Sequence, residues 1–463
     1  MSSDRVAPAR ALAFATMRAT FEEEARTERA FRSAADELGL DGRERAQAQR
    51  LAYGAVQRRG TADAAIERLA ERSLRLLDPP VLAALRLGLF ELLFADGTPD
   101  HAAVDQAVEL VKTAGAGHAA GLVNAVLRRA TRERTALAAD LLGDDSTPEG
   151  AAVAHSAPLW LARLWWQELG AENARPLLAA CNEPAEVGLR VNTLRTDREA
   201  VLARLREAGV EARIPEAPWP LAAAETIAVV GRTGAVVAEL VEAGRLTPQS
   251  RGSAAVVEVL DPQPGEHVLD LCAGPGIKTG QIAARMGDRG ETISVELDPE
   301  RAAEVAAQAV RLGLRSVTVA ELDAAQTPMA PGFDRVLLDA PCSDLGALAS
   351  RPDARWRKSP RTIERLAGLQ HSLLEKAATA LRPGGTLVYS TCTISRREGE
   401  ERVAALLDAA AAGEVPSLTV EDLGALAPDL ASPHDPRCLQ LRPDRDRTTG
   451  FFICRLRRDD GER

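Results

Sequence analysis

The sequence predicts a multidomain chain: an all-α N-terminal domain, a small α+β linking domain and a C-terminal α/β domain with a doubly wound sheet. Apolar residues recur at helical spacing as far as about residue 140, whereas short apolar strands alternate with helices beyond residue 266. A chain of 463 residues is also too long to fold around one ordinary hydrophobic core. We place the three domains at 1–141, 150–245 and 246–463.

Charge and cysteine usage narrow the class of protein. A formal net charge of -10 argues against a non-specific polyanion binder, so any nucleic-acid surface must be a local basic patch. The six cysteines include no CxxC pair, so the sequence predicts reduced thiols and no metal site. The N-terminus lacks an apolar signal region, and nowhere do about 18 uncharged apolar residues run together. We therefore expect a soluble, cytoplasmic protein without a membrane partner.

The first domain shows helical periodicity throughout. Its helical segments include "ARALAFATMRATFEEEA", "PPVLAALRLGLFELLFAD" and "AAVDQAVELVKTAG". The domain closes with "GLVNAVLRRATRER", where four arginines (128, 129, 132 and 134) fall within seven residues. Taken alone, such a cluster is more often a solvated helix end than a binding surface. The polar, turn-rich "LGDDSTPEG" at 142–150 is then predicted to be a linker.

The second domain mixes helix and strand. "APLWLARLWWQELG" is predicted to be a helix, and "EVGLRVNTLRTDREAVLARLREAGVEARI" to be a strand, a helix and a second strand. An extended stretch at "RLTPQSRGSAAVVEVLDPQPGE" is predicted to end this part of the chain.

The third domain alternates apolar strands with helices, which predicts a parallel sheet covered on both faces. The strands include "HVLDLC", "TISVELD", "SVTVAELD", "DRVLLDA" and "TLVYSTC". The final segments "RCLQLRP" and "TTGFFICRLRR" are predicted to form a hairpin at one edge. Ligands of such sheets bind beyond the carboxyl ends of the strands.

A glycine loop follows the first strand of this domain. In "DLCAGPGIKTG", Gly274 and Gly276 let the backbone approach a ligand closely, and the next helix offers its N-terminus. The loop lacks both G-x-G-x-x-G and the GKS/T of a P-loop, so neither NAD nor ATP is favoured. The candidate cofactor residues here are Cys272, Ala273, Gly274, Pro275, Gly276, Ile277 and Lys278.

One acidic residue ends each of the next two strands. Glu296 is suited to accept hydrogen bonds from both hydroxyls of a ribose, and Asp323 to lie near an adenine amino group. Taken alone, each acid is explained equally well as a helix-capping residue or as a ligand contact. Together with the glycine loop, they favour an adenosyl ligand without phosphates, and S-adenosylmethionine is the obvious candidate.

The fourth and fifth strands end near Cys342 and Cys392. A single such cysteine is more often a buried structural residue. In the usual sheet order of methyltransferases these two strands are neighbours, about 4.8 Å apart. Two cysteines at equivalent strand ends beside an adenosyl pocket therefore favour one shared site.

The motifs that carry these residues resemble those of a known family. "DLCAGPGIKT", "LLDAPCSDLG" with "RPDARW", and "LVYSTCTISRREGEERV" are similar to the successive motifs of RNA 5-methylcytosine methyltransferases. "NEPAEVGLRVNTLR" and "TGFF" extend the likeness over roughly residues 155 to 455. "HAAVDQAVELVK" and "GLVNAVLRRA" resemble the NusB-type RNA-binding domain of the ribosomal RNA small-subunit methyltransferase B family. The resemblance implies a NusB-like N-terminal domain, a small RNA-recognition domain and a Rossmann-like class I methyltransferase domain.

The resemblance also implies a mechanism. Cytosine C5 is a poor nucleophile, so the family attacks C6 with a cysteine thiolate and then transfers the methyl group of S-adenosylmethionine to C5. By this likeness Cys392 is the nucleophile, and Cys342 assists loss of the C5 proton and release of product. Asp339 would hydrogen-bond the cytosine edge and also line the cofactor site. Lys278 would carry positive charge into the pocket and lower a cysteine pKa.

The resemblance implies RNA as the partner, most readily small-subunit (16S) ribosomal RNA, with the target base unstacked. The basic stretch 350–361 then becomes a candidate RNA contact, although alone it would more often be a solvated loop. The candidate RNA-binding residues are Arg128, Arg129, Arg355, Trp356, Arg357 and Lys358.

Four residues depart from the family pattern. Ile277 and Asp344 stand where glycines are usual, and Thr449 and Ser250 stand where acids are common. We expect Ile277 to narrow the methionine end of the pocket and Asp344 to add negative charge close to RNA.

Two alternatives remain. A transfer-RNA cytosine-5 methyltransferase would share the catalytic half, and only the helical domain argues for ribosomal RNA. From a different class, a non-catalytic RNA-binding assembly or antitermination factor would need neither cysteine nor Lys278. Amino methylation is disfavoured because no N/D-P-P-Y follows the fourth strand. The sequence does not indicate the oligomeric state.

Overall fold

The computed structural model describes residues 6–40, 42–231 and 233–460. The chain divides into two compact units. The first comprises the described part of Met1–Glu183 together with Leu348–Lys358, and the second comprises Pro184–Ala347 together with the described part of Ser359–Arg463. Each helix in the described part of the chain is too short or too polar to span a bilayer.

Helices dominate the first unit, and helices and strands are mixed in the second. In chain order the helices are α1 (Pro8–Glu22), α2 (Thr27–Leu38), α3 (Gly42–Gln57), α4 (Arg59–Ala70), α5 (Pro79–Phe94), α6 (Asp100–Thr113), α7 (Ala120–Arg132), α8 (Arg134–Leu142), α9 (Pro148–Ala154), α10 (Leu159–Leu169), α11 (Ala171–Ala180), α12 (Arg198–Glu207), α13 (Gly234–Glu242), α14 (Arg251–Leu260), α15 (Ile277–Arg285), α16 (Pro299–Leu312), α17 (Ala354–Arg357), α18 (Pro360–Ala380), α19 (Glu400–Ala411) and α20 (Pro443–Asp446). The strands are β1 (Val187–Val191), β2 (Ala212–Arg213), β3 (Thr226–Val229), β4 (Leu246–Pro248), β5 (His267–Asp270), β6 (Glu291–Glu296), β7 (Val317–Glu321), β8 (Phe333–Asp339), β9 (Leu381–Thr391), β10 (Leu418–Val420), β11 (Leu439–Leu441) and β12 (Phe451–Arg458).

Helix α5 is the centre of the first unit. Its sequence is apolar on nearly all sides, and residues from Val81 to Leu92 are buried almost continuously, as expected of a helix enclosed by others. Its two buried charged residues are paired from neighbouring helices. Arg86 bonds Asp63 at 2.6 Å, and Glu91 accepts from Arg10 at 2.6 Å. The predicted all-α domain is confirmed.

Residues 348–358 are integrated into this helical unit. The Trp356 indole N–H donates to the Val56 carbonyl at 2.7 Å. Arg355 is 1% exposed and donates to the carbonyls of Ser156 (3.0 Å) and Cys181 (2.8 Å). The RNA contact predicted for Arg355 is therefore wrong, because its guanidinium is enclosed. The indole N–H of half-buried Trp356 is likewise engaged inside the unit, and the RNA contact predicted for this residue stays a prediction.

The second unit contains a small antiparallel sheet with strand order β2-β3-β1-β4. The predicted strand, helix and strand correspond to β1, α12 and β2, but β1 pairs with β3 and β4 rather than with β2. The prediction of an extended stretch after residue 245 is wrong beyond β4, because residues 251–260 form helix α14, which Ser250 caps. Helices α9 to α11, which follow or span the predicted boundary at 150, lie in the first unit, and the compact division falls near residue 184. Side chains from α4 tie α9 to the first unit, as when the Thr61 hydroxyl donates to the Val153 carbonyl at 2.6 Å.

The large sheet has the order β10-β12-β9-β8-β5-β6-β7, with β11 paired to β12. Strands β5 to β9 are parallel, and the order reverses between β5 and β8. The predicted doubly wound sheet is confirmed, and its reversal point is where such folds bind ligands. The hairpin of β11 and β12 is present, but β12 is not at an edge because β10 pairs with its outer side. Three-residue β10 is too short to show a periodic pattern.

We predict that Arg355→Ala lowers the free energy of unfolding by about 2–4 kcal/mol, because it removes the donor of the buried Ser156 carbonyl and leaves a cavity where a 1% exposed side chain was packed. Arg128→Ala is the matched control: Arg128 belongs to the same unit, is exposed and donates to Asn124, so its loss should cost less than about 0.5 kcal/mol. Urea unfolding followed by circular dichroism checks both. Equal losses would contradict the structural role of Arg355.

Candidate active site

The glycine loop lies between β5 and α15. Gly274 has φ +56° and Gly276 has φ +80°, a left-handed region that favours glycine. A Cβ on Gly276 would also come within 3.1 Å of the Val305 backbone, whereas one on Gly274 would meet nothing within 4 Å. Gly276 is therefore required by packing, and Gly274 leaves open space beside the loop. The carbonyl of Ile277, the first residue of α15, accepts from buried Arg190 of β1 at 2.8 Å.

Asp270, at the end of β5, is a buried carboxylate that the sequence analysis did not single out. Its Oδ2 accepts from the Thr279 hydroxyl at 2.7 Å, and Oδ1 has no hydrogen-bond partner among the described residues. Burial raises the pKa of Asp270 to about 6. Burial and the nearby carboxylates, Asp270 foremost, also raise the pKa of the Cys272 thiol. An orphan buried oxygen beside a glycine loop fits a cationic group of a bound ligand.

The two acids predicted to hold an adenosyl group lie at the ends of β6 and β7. Glu296 is 9% exposed, and its carboxylate accepts from the backbone N–H groups of Gly274 (2.8 Å) and Asp298 (3.0 Å). Asp323 accepts from the Ala325 N–H at 2.9 Å and is half-buried. Each carboxylate thus shapes its own loop, and each oxygen retains a second lone pair for a ligand.

Cys342 and Cys392 lie side by side. Their Sγ atoms are 3.3 Å apart, and Cys392 Sγ is 3.3 Å from Asp344 Oδ1. Strands β8 and β9 are paired in parallel with Asp339 opposite Ser390, so both cysteines leave neighbouring strand ends together. The expected proximity of the two thiols is present. Cys342 is buried, whereas Cys392 is partly exposed.

The predicted effect of Lys278 on the thiols is not seen at Cys342. The hydrogen bond with Cys392, together with burial, raises the pKa of the Cys342 thiol well above its ordinary value. Lys278 Nζ instead donates to Asp339 Oδ2 at 2.6 Å and lies 5.0 Å from the centre of the Phe451 ring. The Ser390 hydroxyl donates to the other Asp339 oxygen at 2.8 Å. Asp339 is therefore oriented from both sides.

Glu398, which the sequence analysis missed, lies beneath both cysteine loops. This 0% exposed carboxylate accepts from the Ser343 N–H (2.9 Å) and hydroxyl, from the Thr393 hydroxyl (3.3 Å) and from Gln370 (3.1 Å). Burial raises the pKa of Glu398. Because Ser343 follows Cys342 and Thr393 follows Cys392, one buried group links both loops. An acid six residues beyond the second cysteine, within "STCTISRREGE", is the only sequence signal for it.

Two departures from the family pattern have local explanations. Asp344 has φ +61°, a conformation suited to the usual glycine that aspartate tolerates better than most residues. Ser250 caps α14, where its hydroxyl accepts from the Ser253 N–H at 3.2 Å. The structure gives no specific reason for Thr449.

The remaining RNA-binding candidates belong to the helical unit. Arg128 is exposed and donates to Asn124, whereas Arg129 bonds Glu71 and Glu133 at 2.8 Å each. Arg357 is exposed and Lys358 is half-buried. Arg128 and Arg357 thus have the exposure that an RNA contact requires.

Comparison with protein families identifies the class. Residues 257–457 match the model described as 16S rRNA methyltransferase RsmB/F, and residues 7–132 match the NusB family. Residues 157–227 match the RsmF/B-like ferredoxin-like domain. The fold and these matches define an RNA methyltransferase with a NusB-like helical domain.

Individual relatives narrow this further. The chain is 35% identical to the probable ribosomal RNA small subunit methyltransferase B of Synechocystis, over 85% of this chain and 88% of the relative. It is 32% identical to ribosomal RNA small subunit methyltransferase B of Escherichia coli, over 90% and 91% respectively. The chain belongs to the ribosomal RNA small subunit methyltransferase B family.

Solved structures show the same architecture. The crystal structure of PH0851 superposes with a TM-score of 0.80 at 25% identity, covering 97% of this chain and 99% of that one. A methyltransferase homologue from Pyrococcus horikoshii gives a TM-score of 0.56 at 26% identity, covering 66% and 97%. NSun6 from the same organism, solved with SFG, is 22% identical with a TM-score of 0.56, covering 65% and 98%.

We predict that Asp270→Asn is more stable than the wild type at pH 7.5, and that this gain in stability is much smaller at pH 4. The pKa of Asp270 is higher in the folded protein than in the unfolded chain, so the folded wild type binds the carboxyl proton more tightly. The wild type therefore loses stability as the pH rises towards about 6. Above that pH the ionised Asp270 lowers the free energy of unfolding of the wild type by about 3 kcal/mol, because the pKa is raised by about two units and one unit corresponds to about 1.4 kcal/mol. Denaturant unfolding of both proteins from pH 4 to 7.5 measures the difference in stability. A difference that stays constant across this range would contradict the prediction.

Proposed function

We propose that this protein methylates C5 of a cytosine in small-subunit ribosomal RNA through a covalent adduct between Cys392 and C6 of the base. The observation that carries this proposal is the contact of two thiols, with Sγ atoms 3.3 Å apart, at neighbouring parallel strand ends. The ribosomal RNA named in the relatives' descriptions supports the substrate class.

S-adenosylmethionine would supply the electrophilic methyl group. The glycine loop from Cys272 to Lys278 offers backbone room for it, and Glu296 and Asp323 offer acceptors for ribose and adenine groups. The buried orphan oxygen of Asp270 suits the ammonium of the methionine portion, because a cation next to that oxygen offsets the cost of burying a carboxylate. Membership of a methyltransferase family supports a methyl-donating cofactor of this class.

The two thiols differ in a way that supports different roles. Cys392 is the more exposed and lies beside a carboxylate that can accept its proton as the sulfur attacks C6. Cys342 has a raised pKa and so holds its proton at neutral pH. In the elimination step the C6–S bond breaks, and the Cys342 thiol gives its proton to the leaving Cys392 sulfur. The Cys342 thiolate formed in this way takes the proton from C5, so both thiols are restored, and the proton that Asp344 accepted is released to solvent.

Asp339 and Lys278 would act on the base itself. A carboxylate held by Lys278 and Ser390 presents a fixed acceptor to the exocyclic amino group and the protonated N3 of cytosine, which stabilises the protonated base and disfavours uracil. The target base must leave any stack to reach these groups, so a single-stranded or flipped nucleotide is the substrate. Arg128, Arg129, Arg357 and Lys358 are the basic candidates for backbone contact.

The thiol roles lead to a sharp prediction. Cys392→Ala should abolish both methyl transfer and the adduct, whereas Cys342→Ala should let a protein–RNA adduct accumulate because product release stalls. Denaturing gels after incubation with radiolabelled S-adenosylmethionine and RNA separate the two outcomes. Cys438→Ala, which removes another buried thiol of the same unit, is the control and should leave transfer within about twofold. An adduct that survives in Cys392→Ala would contradict the assignment.

The substrate class has its own test. We expect label in unmodified small-subunit ribosomal RNA or an assembling subunit and not in bulk transfer RNA, measured under the same conditions. Label in transfer RNA alone would favour the transfer-RNA methyltransferase alternative. RNA binding without label or adduct on any of these substrates would instead favour a non-catalytic assembly or antitermination factor.

A further inference from the structure

Cys342, Cys392 and Asp344 form a compact set of three potential metal ligands. Their ligand atoms all lie within 4.8 Å of one another, and two of the separations are 3.3 Å. We propose that these side chains bind Zn²⁺, a borderline-soft divalent cation, and that the bound cation reversibly occupies the sulfurs that the proposed reaction requires.

The donor set selects the class of cation. Two thiolates and one carboxylate suit Zn²⁺ and its analogues Co²⁺ and Cd²⁺, whereas Mg²⁺ prefers oxygen ligands only. Tetrahedral zinc with Zn–S bonds of about 2.3 Å holds its sulfurs about 3.8 Å apart. The thiols therefore need to separate by about half an ångström, a shift that side-chain rotation allows.

The backbone already presents the three ligands together. Asp344 occupies a left-handed conformation, φ +61°, which turns its carboxylate towards Cys392. Buried Glu398 holds Ser343, the residue between Cys342 and Asp344. Because Cys392 and Asp344 are partly exposed, a cation can reach the sulfurs from solvent.

The charges are compatible with a cation. Lys278, in the first turn of α15, is paired with Asp339 at 2.6 Å. Binding replaces two S–H protons with one divalent ion, so two protons are released and no electron is transferred. The loaded site carries a net charge of about −1, and a fourth position is left for water.

The ligands are distant in sequence, which is why cysteine spacing predicted no metal site. Cys342 and Cys392 are 50 residues apart, and Asp344 stands where the resembling family usually has glycine. The third ligand of the proposed site is therefore Asp344, which this chain has in place of that glycine. Zinc binding can be measured without RNA and without S-adenosylmethionine. A negative result for zinc binding is therefore independent of a negative result for the proposed methylation.

Cobalt substitution tests the proposal directly. The full-length protein, reduced with a phosphine and kept free of oxygen, is titrated with Co²⁺ and followed by absorption. We expect one equivalent to bind with thiolate charge-transfer bands and intense visible bands of tetrahedral cobalt, both lost on adding Zn²⁺ but not Mg²⁺. Cys342→Ala and Cys392→Ala should each lose these bands.

Asp344→Gly should keep thiolate bands but bind Co²⁺ at least about tenfold more weakly, since it removes one ligand and restores an unstrained backbone. Cys438→Ala is the matched control: its thiol is buried beside Cys454 in the same unit, and the variant should bind as wild type does. Circular dichroism verifies folding. A second measurement needs no variant: Zn²⁺ should protect Cys342 and Cys392 from alkylation, as read by peptide mass spectrometry.

Three outcomes would overturn the proposal. The first is folded wild type that shows no cobalt bands and no zinc protection. The second is unchanged affinity in Asp344→Gly, which would remove the carboxylate from the site. The third is loss of binding in Cys438→Ala with retention in Cys342→Ala, which would place the cation at the other thiol pair.

Discussion

The parallel pairing of β8 with β9 is the constraint on which the candidate active site depends. Asp339 and Ser390 are opposite each other in this register, and the cysteines follow them by three and two residues. Since adjacent strands lie only about 4.8 Å apart, loops that leave the same edge begin in contact. A slip of one residue would turn the side chains of one strand to the opposite face and separate the thiols.

A buried charge reinforces this pairing. Glu398 places a carboxylate beneath both loops, where desolvation would be costly without donors from Ser343, Thr393 and Gln370. The Tyr389 hydroxyl also donates to the Glu398 carbonyl at 2.6 Å, so the same residue is tied to β9. These shared hydrogen bonds hold the loops in one arrangement and present the two sulfurs at a defined separation.

The stretch at 348–358 shows how local composition misleads. Basic residues around a tryptophan are typical of RNA-binding loops, and the sequence analysis interpreted them so. In the folded chain Arg355 instead bonds Ser156 and Cys181, which precede it by 199 and 174 residues. No local pattern encodes acceptors at that separation. Arg357, two positions on, stays exposed, so neighbouring residues of one motif have opposite environments.

The sequence by itself determined the fold class, the glycine loop and the two strand-end cysteines, because apolar periodicity and turn residues act over a few neighbouring positions. Only the tertiary structure decided that Lys278 pairs with Asp339, that Asp344 approaches Cys392, and that Asp270, Glu398 and Arg355 are buried. Those contacts depend on strand register and loop path, which bring distant residues within hydrogen-bonding distance. A short apolar run specifies that a strand forms, whereas its neighbours are chosen by packing across the whole domain.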